Sequence, residues 1–131
     1  MPAHWRYAMP ATDARRRADA RGRRAETIAA WWLRLKGYSI LDRRVQTPLG
    51  EIDLIAVRAG TLVFVEVKAR ASFDSALLAL NPQALQRVAR AAQLLASQYA
   101  RGARPANVRI DAVLVAPRRL PHHIEAVWRE A

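Results

Sequence analysis

The sequence predicts an α/β domain, a central mixed β-sheet flanked by helices, with the elements in the order α-β-β-β-α-β-β. Three observations predict it. Two segments repeat apolar residues at the helical period, and short runs of alternating, often β-branched residues lie between and after them. Glycine and proline punctuate the borders of these runs. The 131 residues, 52% hydrophobic and 25% charged, suffice for one core and not for two.

Residues 1–20 read as a basic arm, either disordered or extending the helix that follows, and residues 21–131 as a single domain. The first helix spans residues 21–36. Ala25, Ile28, Ala29, Trp32 and Leu35 form its apolar stripe, and Gly37 stops it. Three strands follow over residues 38–45, 51–57 and 62–70, separated by Pro48-Leu49-Gly50 and by Arg58-Ala59-Gly60-Thr61. Residues 71–80 match neither period. Asn81 before Pro82 is an N-cap followed by proline in the first turn. The helix it opens sends Leu85, Val88, Ala89, Ala92, Leu95, Ala96 and Tyr99 inward and Arg87 and Arg90 to solvent, and Gly102 closes it. Residues 108–116 and 124–128 read as the last two strands.

Composition excludes several classes of function. There is no cysteine, hence no disulfide, thiol nucleophile or cysteine-ligated metal. No apolar run approaches the roughly 20 residues of a membrane span. Met1 to Pro10 carry His4, Trp5 and Arg6 and no apolar core, so a cytoplasmic location and no membrane partner are expected. Lys and Arg number 22 against 11 Asp and Glu, for a net charge of +11, and nearly all of the excess is arginine. A domain this basic meets polyanions. Arg15, Arg16, Arg17, Arg21, Arg23 and Arg24 crowd the arm and the start of the helix, as phosphate contacts or as a solvated face.

The alternation of the central strands places charge where apolar residues are expected. A turn centred between Ala59 and Gly60 pairs residues whose numbers sum to 119. Val57 then faces Leu62 and Ile55 faces Phe64, but Asp53 faces Glu66 and Glu51 faces Lys68. Two opposed carboxylates repel unless a cation sits between them. Oxygen donors without cysteine suit Mg²⁺ or Mn²⁺. Lys68, two residues beyond Glu66 on the same face, suits charge that develops on a phosphate. A solvated cross-strand charge network is the plainer alternative. Glu26, at the border of the helical stripe one and two turns before Ala30 and Leu33, is in reach of the same place.

These residues carry a family resemblance. Gly22-x-x-x-Glu26, Leu35-x-Gly37-Tyr38-x-Ile40-Leu41, Gly50-Glu51-Ile52-Asp53-Leu54-Ile55-Ala56 and Val63-Phe64-Val65-Glu66-Val67-Lys68-x-Arg70 resemble the YraN-like family of uncharacterised bacterial proteins. That family has a restriction-endonuclease-like fold and is similar to Holliday junction resolvases of the PD-(D/E)xK superfamily. The resemblance covers residues 22–116. It implies that Asp53 and Glu66 are metal ligands, with the Val67 carbonyl as a third and Glu26 assisting, and that Lys68 is the catalytic lysine. The chain departs from the family at Ala84-Leu85, where members tend to carry Lys-Gln, and at Arg43-Arg44-x-Gln46, where they tend to carry Arg-Asn-x-Arg.

The function expected is nuclease-type: Mg²⁺- or Mn²⁺-dependent hydrolysis of DNA, duplex or branched, with Asp53, Glu66 and Lys68 catalytic. Arg43, Arg44 and Arg70 join the arm arginines in holding nucleic acid. Two alternatives stand beside it: a DNA-binding module that keeps the fold without turnover, which Ala84 and Leu85 favour, and a basic protein associated with RNA or the ribosome. No self-complementary face is legible.

Overall fold

The computed structural model describes residues 12–100 and 107–129. Helix α1 (Asp13–Leu35) opens at Thr12, whose hydroxyl accepts the Arg15 N–H at 3.1 Å. The helix starts at Asp13 and not at Arg21, so residues 13–20 of the basic arm are helical and exposed. Residues 1–11 lie outside the described residues, as does Gly102. At the other end of α1, the Tyr38 N–H donates to the Leu33 carbonyl and the Gly37 N–H to that of Arg34, each at 3.0 Å. Gly37 takes a φ of +93°, which this doubly bonded end requires and which a side chain would strain.

One sheet holds β1 (Ser39–Thr47), β2 (Gly50–Arg58), β3 (Thr61–Ala69), β4 (Val108–Val115) and β5 (His122–Trp128) side by side in chain order. Only β3 and β4 are parallel among these neighbours, so the chain must cross over between them. The crossover contains α2 (Phe73–Ala79) and α3 (Pro82–Tyr99). The order is thus α-β-β-β-α-α-β-β. Helix α2 is too short to show a period, and its signal is the Ser72 cap, whose hydroxyl accepts the Ser75 N–H at 3.1 Å. Asn81 caps α3 as its place before Pro82 predicts, its side-chain oxygen accepting the Ala84 N–H at 2.8 Å.

The β2–β3 hairpin has the predicted register. Its ladder runs from Arg58–Thr61 to Leu54–Val65, every pair summing to 119. Ala59 and Gly60 both have positive φ, +49° and +77°, as a two-residue turn between right-twisted strands demands.

The sheet is covered on both faces. On one, Ile52, Ile55, Leu62, Phe64 and Ile110 pack against Val88, Ala89, Ala91 and Ala92 of α3. On the other, Leu54, Ala56, Val63, Val65 and Val113 pack against Ala29, Ala30 and Leu33 of α1. Leu85, Val88 and Ala92 are buried as expected, Leu95 and Tyr99 half-buried, and Arg87 and Arg90 exposed. The expected α1 stripe needs correction. Ile28 is 44% and Leu35 78% exposed, while Ala25, Glu26, Ala29, Ala30 and Leu33 are buried. The face of small residues lets the helix lie close to the sheet, and this rotation carries Glu26 inward.

The edge at β4 and β5 is tied by charge. Asp111, fully buried, accepts hydrogen bonds from Arg109 Nε and Nη2, from the Ala126 N–H at 3.0 Å and from His123 Nε2 at 2.7 Å. On its other side the His123 ring meets Lys36, Nδ1 to Nζ. Arg109 Nη2 donates to the Tyr38 hydroxyl at 2.7 Å, joining the end of α1 to β4. Burial alone raises the Asp111 pKa, but the bonds from His123, Arg109 and Ala126 outweigh it and hold it below the ordinary value. Asp111→Ala is expected to cost about 3–5 kcal/mol in urea unfolding at pH 7, because it strands a partly buried Arg109. With the folded pKa below the unfolded one, the contribution is present above about pH 4 and fades as pH falls through the folded value. A loss below about 1 kcal/mol would show that the edge holds without this network.

Candidate metal centre and nucleic-acid face

The β2–β3 ladder ends at Leu54–Val65. The next residues in register are Asp53 and Glu66, and there the strands part. Instead of a backbone carbonyl, the Asp53 carboxylate accepts the Val67 N–H, at 2.8 Å from Oδ2. A backbone donor inside the fold needs an acceptor, and this one is a charge. The strict alternation expected of β2 fails at the same point: Ile52 packs with α3, whereas Leu54, two residues on, packs with α1.

Three carboxylates meet in this fork. Glu26 of α1, 6% exposed, joins Glu51 and Asp53 of β2, and each offers an oxygen within 4.8 Å of the others. Arg44 of β1 donates from Nε to Glu26 Oε1 at 2.6 Å, and Gln46 Nε2 donates to Glu51 Oε2 at 2.6 Å. Glu66 stands toward α3. With Glu51 it lines a groove of about 150 Å³ whose α3 wall includes Ala84, Arg87 and Val88. Lys68 Nζ lies 3.2 Å from Glu66 Oε1. Asp53 and Glu66 lie in register just beyond the end of the ladder, Glu66 is the charged group that raises Asp53 most, and Glu26 and Glu51 gather around Asp53 as well.

Electrostatics nevertheless link all of them. Burial, then the charge of Glu66, push the Asp53 pKa up to about 7 against the Val67 N–H, and Glu26 adds to the rise. Burial raises Glu66 too, against the pull of Lys68 and Arg87. The fork stores negative charge that the protein only partly neutralises. Two oxygens on one Mg²⁺ or Mn²⁺ lie at most about 4–5 Å apart, so the Glu26, Glu51 and Asp53 donor set fits such an ion.

The remaining predicted residues divide. Arg15, Arg16, Arg17, Arg21, Arg23 and Arg24 are all exposed on the first turns of α1. Arg15 and Arg23 are spaced eleven and three residues from Glu26, so the helical period sets them on its face, outward from the fork. Arg43 Nη2 donates to Thr27 Oγ1 at 2.9 Å, and the exposed Arg70 donates to the Ala69 carbonyl at 2.7 Å. Arg44 is engaged by Glu26 and does not stand free. At Val67 it is the N–H that meets Asp53. Glu51 had no expected role, although its spacing of two from Asp53 was the available signal. Arg87 was expected only in solvent, and its bearing on Glu66 comes from the packing of α3.

Because Asp53 is raised above its unfolded value, the protonated form favours the fold, and that stability is lost as pH rises from about 4 through about 7. Asp53→Asn is therefore expected to stabilise the metal-free protein at pH 8 by on the order of 1–2 kcal/mol, with the gain shrinking toward pH 4. Thermal unfolding across that range checks it, and a variant less stable than wild type at pH 8 would make Asp53 a structural residue.

Comparison with known proteins places the chain in a family. The model of "Uncharacterised protein family UPF0102" matches residues 25–115, from the second half of α1 to the end of β4. A UPF0102 protein of Sphingopyxis alaskensis is 51% identical over 112 residues, 86% of this chain and 95% of the relative. One of Rhizorhabdus wittichii is 50% identical over 111 residues, 85% and 92% of the two chains. One of Brucella canis is 48% identical over 116 residues, 88% and 91%.

Proposed function

This chain belongs to the uncharacterised family UPF0102, and we propose that it is a divalent-metal-dependent nuclease that hydrolyses the phosphodiester backbone of DNA, branched DNA included. The observation that supports this most is the fork at Asp53, where carboxylates from α1 and β2 converge beside Glu66 and Lys68. Collecting acids in a half-buried place destabilises a fold, and a site that binds a cation gives the arrangement a use.

Asp53, Glu26 and Glu51 are the donor set, and Glu66, in register beyond Asp53, borders it. These residues would hold Mg²⁺ or Mn²⁺, which would supply positive charge to the phosphate and lower the pKa of a bound water. The Val67 N–H holds the Asp53 carboxylate in place. Glu66 holds the half-buried Lys68 ammonium beside the groove, where it can meet charge developing on the phosphate oxygens. The exposed arginines of α1 grip the flanking backbone without reading sequence. No helix among the described residues is long and apolar enough to cross a membrane.

A second reading has its own observation. Ala84 puts a methyl group on the groove wall beside Glu66, so a DNA-binding module without turnover is the alternative. An RNA- or ribosome-associated role leaves the fork without a use.

Cleavage of linear and branched DNA with Mg²⁺ and Mn²⁺ in parallel decides between them. Asp53→Asn is expected to abolish cleavage while metal-free DNA binding holds or tightens, since a charge that repels phosphate is gone. Lys68→Ala is expected to slow cleavage by about 10²–10³-fold with metal binding retained. A wild type that binds but never cuts is the binding module. Replacing Arg15, Arg16 and Arg23 with Gln is expected to weaken DNA affinity and lower its salt slope by about one for each phosphate contact removed. An unchanged slope in fluorescence anisotropy across a salt series would take the phosphate contacts off α1.

A further inference from the structure

Arg44 is placed unlike any other arginine in the site. In the β1–β2 register, Arg43 pairs with Leu54 and Val45 with Ile52, which sets Arg44 across from Asp53, yet the two form no ladder pair. Its φ is +53°, in the left-handed region that a long side chain rarely occupies. Such strain persists where the surroundings enforce it. From this backbone its Nε donates to Glu26 Oε1 at 2.6 Å.

Two features make this contact a replaceable one. First, it is a single bond from Nε, whereas an arginine that locks a carboxylate permanently uses two parallel donors, as Arg109 does on Asp111. Second, the Arg44 side chain is 38% exposed while that of Glu26 is 8% exposed, so the cation can retreat into water and the anion cannot. Glu26 is also one of the three carboxylates that converge in the fork. An ion bound there and the guanidinium would compete for the same carboxylate.

We propose that Arg44 is a displaceable counter-cation: its guanidinium neutralises the carboxylate cluster in the metal-free protein, and a divalent metal binds by taking Glu26 from it. This rests on the metal-centre reading above and adds to it a residue that sets the metal affinity.

The test is metal binding by the full chain without DNA, read by calorimetry with Mn²⁺ at low salt. Arg44→Asn removes the charge and suits the left-handed backbone, so it is the variant that folds. It is expected to bind Mn²⁺ about tenfold more tightly than wild type, and Arg44→Lys, which keeps the competing charge, to stay within about threefold. In ¹⁵N-labelled wild type, the Arg44 Nε–H resonance is expected to shift and exchange faster with water as Mg²⁺ is added. Arg44→Asn binding Mn²⁺ no more tightly than wild type, or a resonance unmoved at saturating Mg²⁺, overturns the proposal and leaves the metal centre standing. If neither wild type nor Arg44→Asn binds Mn²⁺ at millimolar concentration, the metal-centre reading falls and the proposal with it.

Discussion

The bond from the Val67 N–H to the Asp53 carboxylate is the constraint on which the site depends. Up to Leu54–Val65 the hairpin is an ordinary antiparallel ladder. One residue further a side chain takes over the acceptor's role, and the strands are free to part while the donor stays satisfied. Side chains from α1 and β1, Glu26 and Arg44, reach the fork so made. Its charge cannot be exported, because the same carboxylate that opens the fork also caps it. The raised Asp53 pKa is the electrostatic expression of that double duty.

The approach of α1 follows from small residues. Ala25, Ala29 and Ala30 put the helix backbone near the sheet, and Leu33 fills the remaining depth. Trp31 and Leu35, 59% and 78% exposed, stay outside. A helix turned to bury them would stand farther from the sheet and would carry Glu26 toward solvent. The identity of the packing face and the presence of a third carboxylate in the fork are thus one fact.

Two charged clusters among the described residues differ in how completely they are neutralised. At the β4–β5 edge, Asp111 has two bonds from Arg109, one from His123 and one from the backbone, and its pKa lies below the ordinary value. At the fork, three carboxylates share one arginine bond, one amide and one glutamine, and the Asp53 and Glu66 pKa values are raised. Satisfied charge fastens a structure, whereas unsatisfied charge awaits a partner.

The sequence by itself determined whatever depends on neighbours along the chain. Gly37 ends α1, Asn81-Pro82 starts α3, and Ala59-Gly60 sets a two-residue turn from which the register of the whole hairpin follows, so the convergence of Asp53 and Glu66 on one end of it was legible. The α1 start at Asp13 was not, because a solvated basic turn has no apolar period to reveal it. The YraN-like resemblance pointed to Glu26, Asp53, Glu66 and Lys68, and its outline of the domain agrees with the sheet and helices found. Only the tertiary structure decided which face of α1 is buried, that Glu51 completes the close carboxylate group while Glu66 turns toward α3, and that Arg44 is held by Glu26. The physical reason is that rotation of a helix about its axis and parting of two strands are settled by what packs across the sheet. Local propensity and alternation carry no information about either.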